Sequence, residues 1–123
     1  CIVAPTMSGR TVRLVSNLRP RVPIYAVTPS ERVMRQQQIH WGVVPMLGDV
    51  QGDMRSVVDN ARDAVVSKGL LRPGDVAVFT AGDRSTSPVV SKGPDGTESV
   101  AATNVMYVVQ IRENDTTKQK GGK

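Results

Sequence analysis

Four short runs of this chain are apolar almost throughout, and the first three are each followed by apolar residues at helical spacing. The runs are Cys1 to Ala4, Ile24 to Val27, Trp41 to Leu47 and Val76 to Gly82. A strand that alternates apolar and polar residues can leave one face in water. A strand apolar on both sides must be covered on both, which points to a mostly parallel sheet between helices. The segments between the runs supply those helices. Gly9 to Leu18 carries a stripe of Val12, Leu14, Val15 and Leu18. A second helix opens at Pro29 and Ser30, with Val33, Met34 and Gln37 turned inward. Met54 to Ser67 places Met54, Val57, Val58, Ala61, Ala64 and Val65 on one side. The fold class that follows is α/β.

The breaks between elements have their own chemistry. "RPRVP", Arg19 to Pro23, stops the first helix, because proline cannot continue it and restricts the residue before it. Gly69 suits a left-handed helix end, and Pro73-Gly74-Asp75 a turn. Asp83 to Thr103 is a long polar stretch whose "KGPDGT", Lys92 to Thr97, reads as a tight turn between two short extended arms. Asn104 to Ile111 is the last strand. Residues 1–112 form one domain in this reading, and 113–123, ending "KQKGGK", a disordered basic tail. The chain opens inside what reads as a buried strand. The expectation is a fragment or processed chain, with the missing part upstream.

Composition narrows the function classes. With 123 residues the chain has room for a single core. Aromatic residues make up only 3%, which leaves the core to Val, Ala, Leu, Ile and Met and removes the stacking platforms that single-stranded nucleic acid needs. Net charge is +5, without a basic stripe, so no nucleic acid partner is expected. Cys1 is the only cysteine, which rules out an internal disulfide and suits a reducing compartment. No run has the length of a membrane span and no leader pattern is present, so a cytoplasmic protein without a membrane partner is expected.

In parallel sheets, ligands sit at the carboxyl ends of strands, where loops meet helix N-termini. Thr6–Thr11, Thr28–Ser30 and Thr80–Thr103 fall there. The first, "TMSGRT", groups Thr6, Ser8 and Thr11 hydroxyls, the flexible Gly9 and the forked cation of Arg10. A helix N-terminus with those donors can seat a phosphate. The same residues can equally be a plain helix cap, with Thr6 or Ser8 bonding the first amides and Arg10 a surface charge. Arg55, Arg84 and Lys92 are basic residues that either reach such a site or lie on the surface. Neither the dinucleotide pattern "GxGxxG" nor the Walker pattern occurs. No catalytic residue is assigned: His40 is the only histidine and reads as structural, and Asp49, Asp53 and Asp59 do not form a metal-ligand cluster.

The order of these segments carries a resemblance. "IVAPTMSGRTVRLVSNLRPRVPIYAVTPSERVMRQQQIHWGVVPML", then "KGLLRPGDVAVFTAG" and "TNVMYVVQI", resembles the C-terminal domain of pyruvate kinase over about residues 2 to 111. The resemblance implies a three-layer α/β/α sandwich whose five-stranded sheet is mostly parallel with the last strand antiparallel. It implies that the catalytic barrel and its magnesium and potassium lie upstream, so that this chain alone is inactive and holds no cofactor. The whole enzyme transfers phosphate from phosphoenolpyruvate to ADP. In allosteric members the loop matching "TMSGRT" holds a phosphate of fructose 1,6-bisphosphate or another sugar-phosphate effector. The resemblance therefore assigns Thr6, Ser8, Gly9, Arg10 and Thr11 to an effector phosphate, with Arg55, Gly82 and Lys92 as further contacts. Met7 stands where animal members often carry lysine, and "AATN" where many have a glycine-threonine pair before the asparagine. The remaining partners it implies are the rest of the subunit and a homotetramer, with Val105 to Ile111 as the pairing strand. Two other readings stand beside it: a free-standing domain of this fold that binds a phosphorylated small molecule, and a basic nucleic-acid-associated module.

Overall fold

The computed structural model describes residues 1–82, 90–96, 98–100 and 103–114. Its elements run β1 (Ile2–Pro5), α1 (Arg10–Asn17), β2 (Ile24–Thr28), α2 (Glu31–Gln37), β3 (Val43–Leu47), α3 (Met54–Ser67), β4 (Val76–Ala81), β5 (Val90–Lys92), β6 (Glu98–Val100) and β7 (Val105–Gln110). Five strands form one sheet in the order β3-β2-β1-β4-β7. β1 to β4 are parallel, and β7 runs antiparallel to β4, pairing Val76 with Gln110 through to Ala81 with Val105. This is the mixed α/β sheet expected.

The order follows from the connections. Parallel neighbours need a crossover, and crossovers are right-handed, so successive steps in one direction put their helices on one face. The steps β1 to β2 and β2 to β3 go one way, and the step β3 to β4 returns across the sheet. α3 therefore lies opposite α1. Two apolar clusters record this. Val12 and Val15 of α1 pack with Ile2, Ala4, Ile24, Ala26 and Val43. Ala61, Val65 and Val66 of α3 pack with Val3, Tyr25, Val27, Met46, Phe79 and Ile111. The largest fully buried side chain is Phe79, beneath α3.

Cover is incomplete at one edge. Paired residues on β4 and β7 point to the same side, so Val76, Val78, Met106 and Val108 share the face opposite α3. Met106 and Val108 are 70% and 72% exposed there. The expectation of a sheet covered on both faces holds for β1 and β2 and not for this edge, because α1 packs over β1 and β2 instead.

Several boundaries shift by a residue or two. β3 begins at Val43 rather than Trp41. Gly42 takes φ +69, a left-handed conformation that cannot sit in a strand, and Trp41 is left at the surface beneath the Arg19 guanidinium, 5.0 Å from its ring centroid. β1 begins at Ile2, and the Cys1 ammonium donates to Val76 O at 3.2 Å. α3 ends as its sequence suggests: Gly69 has φ +70, Leu70 N–H bonds Val65 O, and Gly69 N–H bonds Val66 O, closing the last turn. The two short arms pair as the β5–β6 hairpin, with Gly96 N–H donating to Gly93 O at 3.0 Å across the turn. Arg84 and residues 115–123 of the basic tail lie outside the described residues.

Candidate functional site

The parallel strands send the N-termini of α1, α2 and α3 to the same end of the sheet. α2 and α3 bring their own caps. Ser30 Oγ accepts from Val33 N–H at 3.3 Å, and Asp53 accepts from Ser56 N–H at 3.1 Å. α1 does not: its N-cap is Gly9, at φ +82, and no side chain caps it. The two hydroxyls that could have capped it are used earlier. Thr6 is buried, and its Oγ1 accepts from Gly9 N–H at 2.7 Å. Ser8 Oγ accepts from Arg10 N–H at 3.4 Å. Arg10 is exposed and makes no ion pair among the described residues. Thr6 and Ser8 thus bond the amides of Gly9 and Arg10, as a plain cap would, while the N-cap residue itself has no side chain to offer.

Thr11 is placed differently from its neighbours. Its hydroxyl shares a 2.8 Å hydrogen bond with that of Thr103, which leads into β7. This bond ties the first turn of α1 to the end of the long 82–103 connection.

Beside this junction lies a cavity of about 810 Å³. Pro5, Thr6 and Met7 form one wall, Gly52 to Arg55 another, and Ala81 and Gly82 close it. Thr6, Arg55 and Gly82 thus meet in one cavity, while Ser8, Gly9, Arg10 and Thr11 lie outside its lining. Lys92 is the last residue of β5. The cavity is mixed in character: Arg55 shares its lining with Met7, Val50, Met54 and Val57. Asp53 also lines it. Hydrogen bonds from the Ser56 hydroxyl and N–H hold the Asp53 carboxyl below its ordinary pKa, with the nearby Arg55 charge adding to the effect.

Three contributors to this end of the molecule are not marked by the sequence motif. Asp53 adds a negative charge to the cavity. Thr103 engages Thr11. Gln37, at the end of α2, is only 4% exposed and lies against Gly9: a Cβ built on Gly9 would come within 2.0 Å of its Nε2. Helical spacing marks Gln37 as inward, but nothing local marks what it touches. His40 is half-buried and precedes β3, as a structural residue would.

Among the described residues, no three His, Cys, Asp or Glu side chains gather closely enough to hold a metal ion. Nor is any helix among the described residues long and apolar enough to cross a membrane.

A five-stranded mixed sheet between helices, with helix N-termini and a cavity at the carboxyl ends of its parallel strands, makes this an α/β/α domain. Comparison with known proteins identifies the family. The model of the pyruvate kinase alpha/beta domain matches residues 1–109, and the chain belongs to that family. Curated relatives include pyruvate kinases of Clostridium acetobutylicum, 38% identical over 81 residues, and of Geobacillus stearothermophilus and Staphylococcus aureus, each 42% identical over 81 residues. In each case the match covers 66% of this chain and 14–17% of the relative, so the chain spans only a small part of the length of these enzymes.

Proposed function

We propose that this chain is the regulatory and assembly domain of a pyruvate kinase, and that the N-terminus of α1 seats a phosphate of a sugar-phosphate effector. The observation that carries the reading is the bare N-cap at Gly9. Ser8 Oγ bonds only the Arg10 N–H, and the N-cap residue has no side chain for the amides that follow, at the positive end of the helix dipole with the exposed Arg10 guanidinium beside them. Thr6 and Ser8 shape the loop, and Ser8 is exposed toward an incoming anion. Arg55 and Gly82 offer a second contact across the cavity, as a bisphosphorylated sugar such as fructose 1,6-bisphosphate would use.

The response would run through Thr11 and Thr103. An anion drawn onto the first turn of α1 acts on a turn already bonded to the residue that leads into β7. β7 is a sheet edge with exposed Met106 and Val108, the kind of edge on which a second copy pairs. The effector then favours one arrangement of a homotetramer over another through its higher affinity for that arrangement. In the whole enzyme, a cytoplasmic phosphotransferase, the upstream catalytic domain moves phosphate from phosphoenolpyruvate to ADP. This chain supplies regulation and assembly.

The test is a thermal-shift titration of the chain with fructose 1,6-bisphosphate, other sugar phosphates, AMP and a sulfate control, repeated on Arg10→Ala. A ligand that binds only the folded state raises the midpoint saturably. A saturable shift with a sugar phosphate, lost in Arg10→Ala, is the expected result. A flat response to all of them from a cooperatively melting protein would refute the effector seat.

A further inference from the structure

We propose that Gln37 is a positioning residue of the anion seat: its buried carboxamide, wedged against Gly9, holds the start of α1 in the conformation that receives the anion. The inference rests on the reading of the α1 N-terminus as a phosphate seat and goes beyond it by naming what keeps that seat in shape.

The first observation is an imbalance. Gln37 is 4% exposed, and its Oε1 is buried without a hydrogen-bond partner among the described residues. A buried acceptor left unpaired is destabilising. A methionine or leucine would fill the same space without that cost. The second is its position. Measured from a Cβ built on Gly9, Gln37 Nε2, Cδ and Oε1 lie at 2.0, 2.6 and 3.0 Å, so the whole carboxamide lies against that glycine. The third is the conformation it presses on. Gly9 is the N-cap, at φ +82, with its own N–H held by Thr6 Oγ1. Thr6 is in turn fixed to β2 through its N–H to Val27 O at 2.8 Å. Gly9 is thus gripped by Thr6 through its amide and by Gln37 on its Cα. A glycine released from that grip has more backbone freedom than any other residue, and the seat would lose its preorganisation.

The arrangement also has an electrostatic side. The carboxamide is neutral, and its unpaired oxygen lies at the positive end of α1. A carboxylate of the same shape would put a full negative charge beside the anion.

The experiment titrates the 123-residue chain and its Arg10→Ala, Gln37→Met, Gln37→Ala and Gln37→Glu variants with inorganic phosphate and with fructose 1,6-bisphosphate, by calorimetry well below the melting temperature. Saturable wild-type binding that Arg10→Ala removes is expected. Gln37→Glu should weaken binding about tenfold or more, as a unit charge placed beside an anion at low effective dielectric would. Gln37→Ala should weaken it about threefold to tenfold, by loosening Gly9. Gln37→Met should restore affinity to within about twofold of wild type while raising the melting temperature, because the unpaired acceptor is gone. A merely structural glutamine would move melting temperature and leave affinity alone. Wild-type binding with unchanged affinity in both Gln37→Ala and Gln37→Glu would overturn the positioning role and leave the seat standing. No saturable wild-type binding of either probe would overturn the seat and this inference with it.

Discussion

Replacing Gly9 with alanine separates two reasons for a glycine that are usually confounded. One is backbone conformation. Gly9 has φ +82, and a residue with a Cβ loses about 1–2 kcal/mol in that region. The other is space. The new Cβ would lie 2.0 Å from Gln37 Nε2 and 2.6 Å from its Cδ, far inside contact distance, and Gln37 is buried and cannot simply swing into water. Forcing it aside adds an overpacking cost of about 1–3 kcal/mol. Gly42 supplies the control within the same molecule. Its φ is +69, and an added Cβ would meet nothing within 4 Å, so Gly42→Ala should cost only the conformational part, about 1–2 kcal/mol. Gly9→Ala should therefore cost about 2–5 kcal/mol, measured as a fall in the urea midpoint at constant slope. In a Gln37→Ala background the space term disappears, and Gly9→Ala should fall back toward the Gly42 value. The reasoning fails if Gly9→Ala costs no more than Gly42→Ala, or if the Gly9 and Gln37 substitutions prove additive.

Two further outcomes follow from the same end of the molecule. Thr11→Val and Thr103→Val should each cost about 0.5–1.5 kcal/mol, and the pair about as much as either alone, because they share one half-buried hydrogen bond; a double-mutant cycle in urea measures it. Asp53 has its pKa lowered on folding by the Ser56 bonds, so its contribution to stability is complete above its ordinary value of 3.8 and is lost as pH falls through the lower folded value. Asp53→Ala should then be less stable than wild type at neutral pH, with the gap closing in acid, and a gap that stays constant down to pH 2 would contradict the cap.

The fold was legible where side-chain spacing and end chemistry agree. α3 lies where its apolar stripe and Gly69 put it, Met54 to Ser67, because a helix of that length carries both its own periodicity and its own stop. The β5–β6 turn was legible for a similar reason: Gly93, Pro94, Asp95 and Gly96 each suit their place in it. β3 was misjudged by two residues because apolarity alone cannot distinguish a buried strand residue from Trp41, half-exposed beneath an arginine. Direction was not legible from residues at all. The run from Asn104 to Ile111 is as apolar as a parallel strand would be, and only the resemblance, later matched by the β4–β7 register, marked it antiparallel.

The site divides along the same line. "TMSGRT" could be placed at a strand-to-helix junction from its neighbours, but whether it caps or receives depends on which residue takes the N-cap, and a shift of one position reverses the answer. With Ser8 there, its hydroxyl would satisfy the first turn. With Gly9 there, the N-cap offers none, and the Ser8 hydroxyl reaches only the Arg10 N–H. What decides the register is the grip on Gly9: Thr6 holds its N–H, and the Gln37 carboxamide occupies the space a side chain would need. Gln37 lies far along the chain, and its reach to Gly9 depends on where α2 ends relative to the loop before α1, which no local pattern encodes. The conformation at the start of α1 is therefore a tertiary property. It is set by the contact of Gln37 with Gly9 as well as by the six residues of the motif, and a substitution at Gln37 can alter it while leaving "TMSGRT" intact.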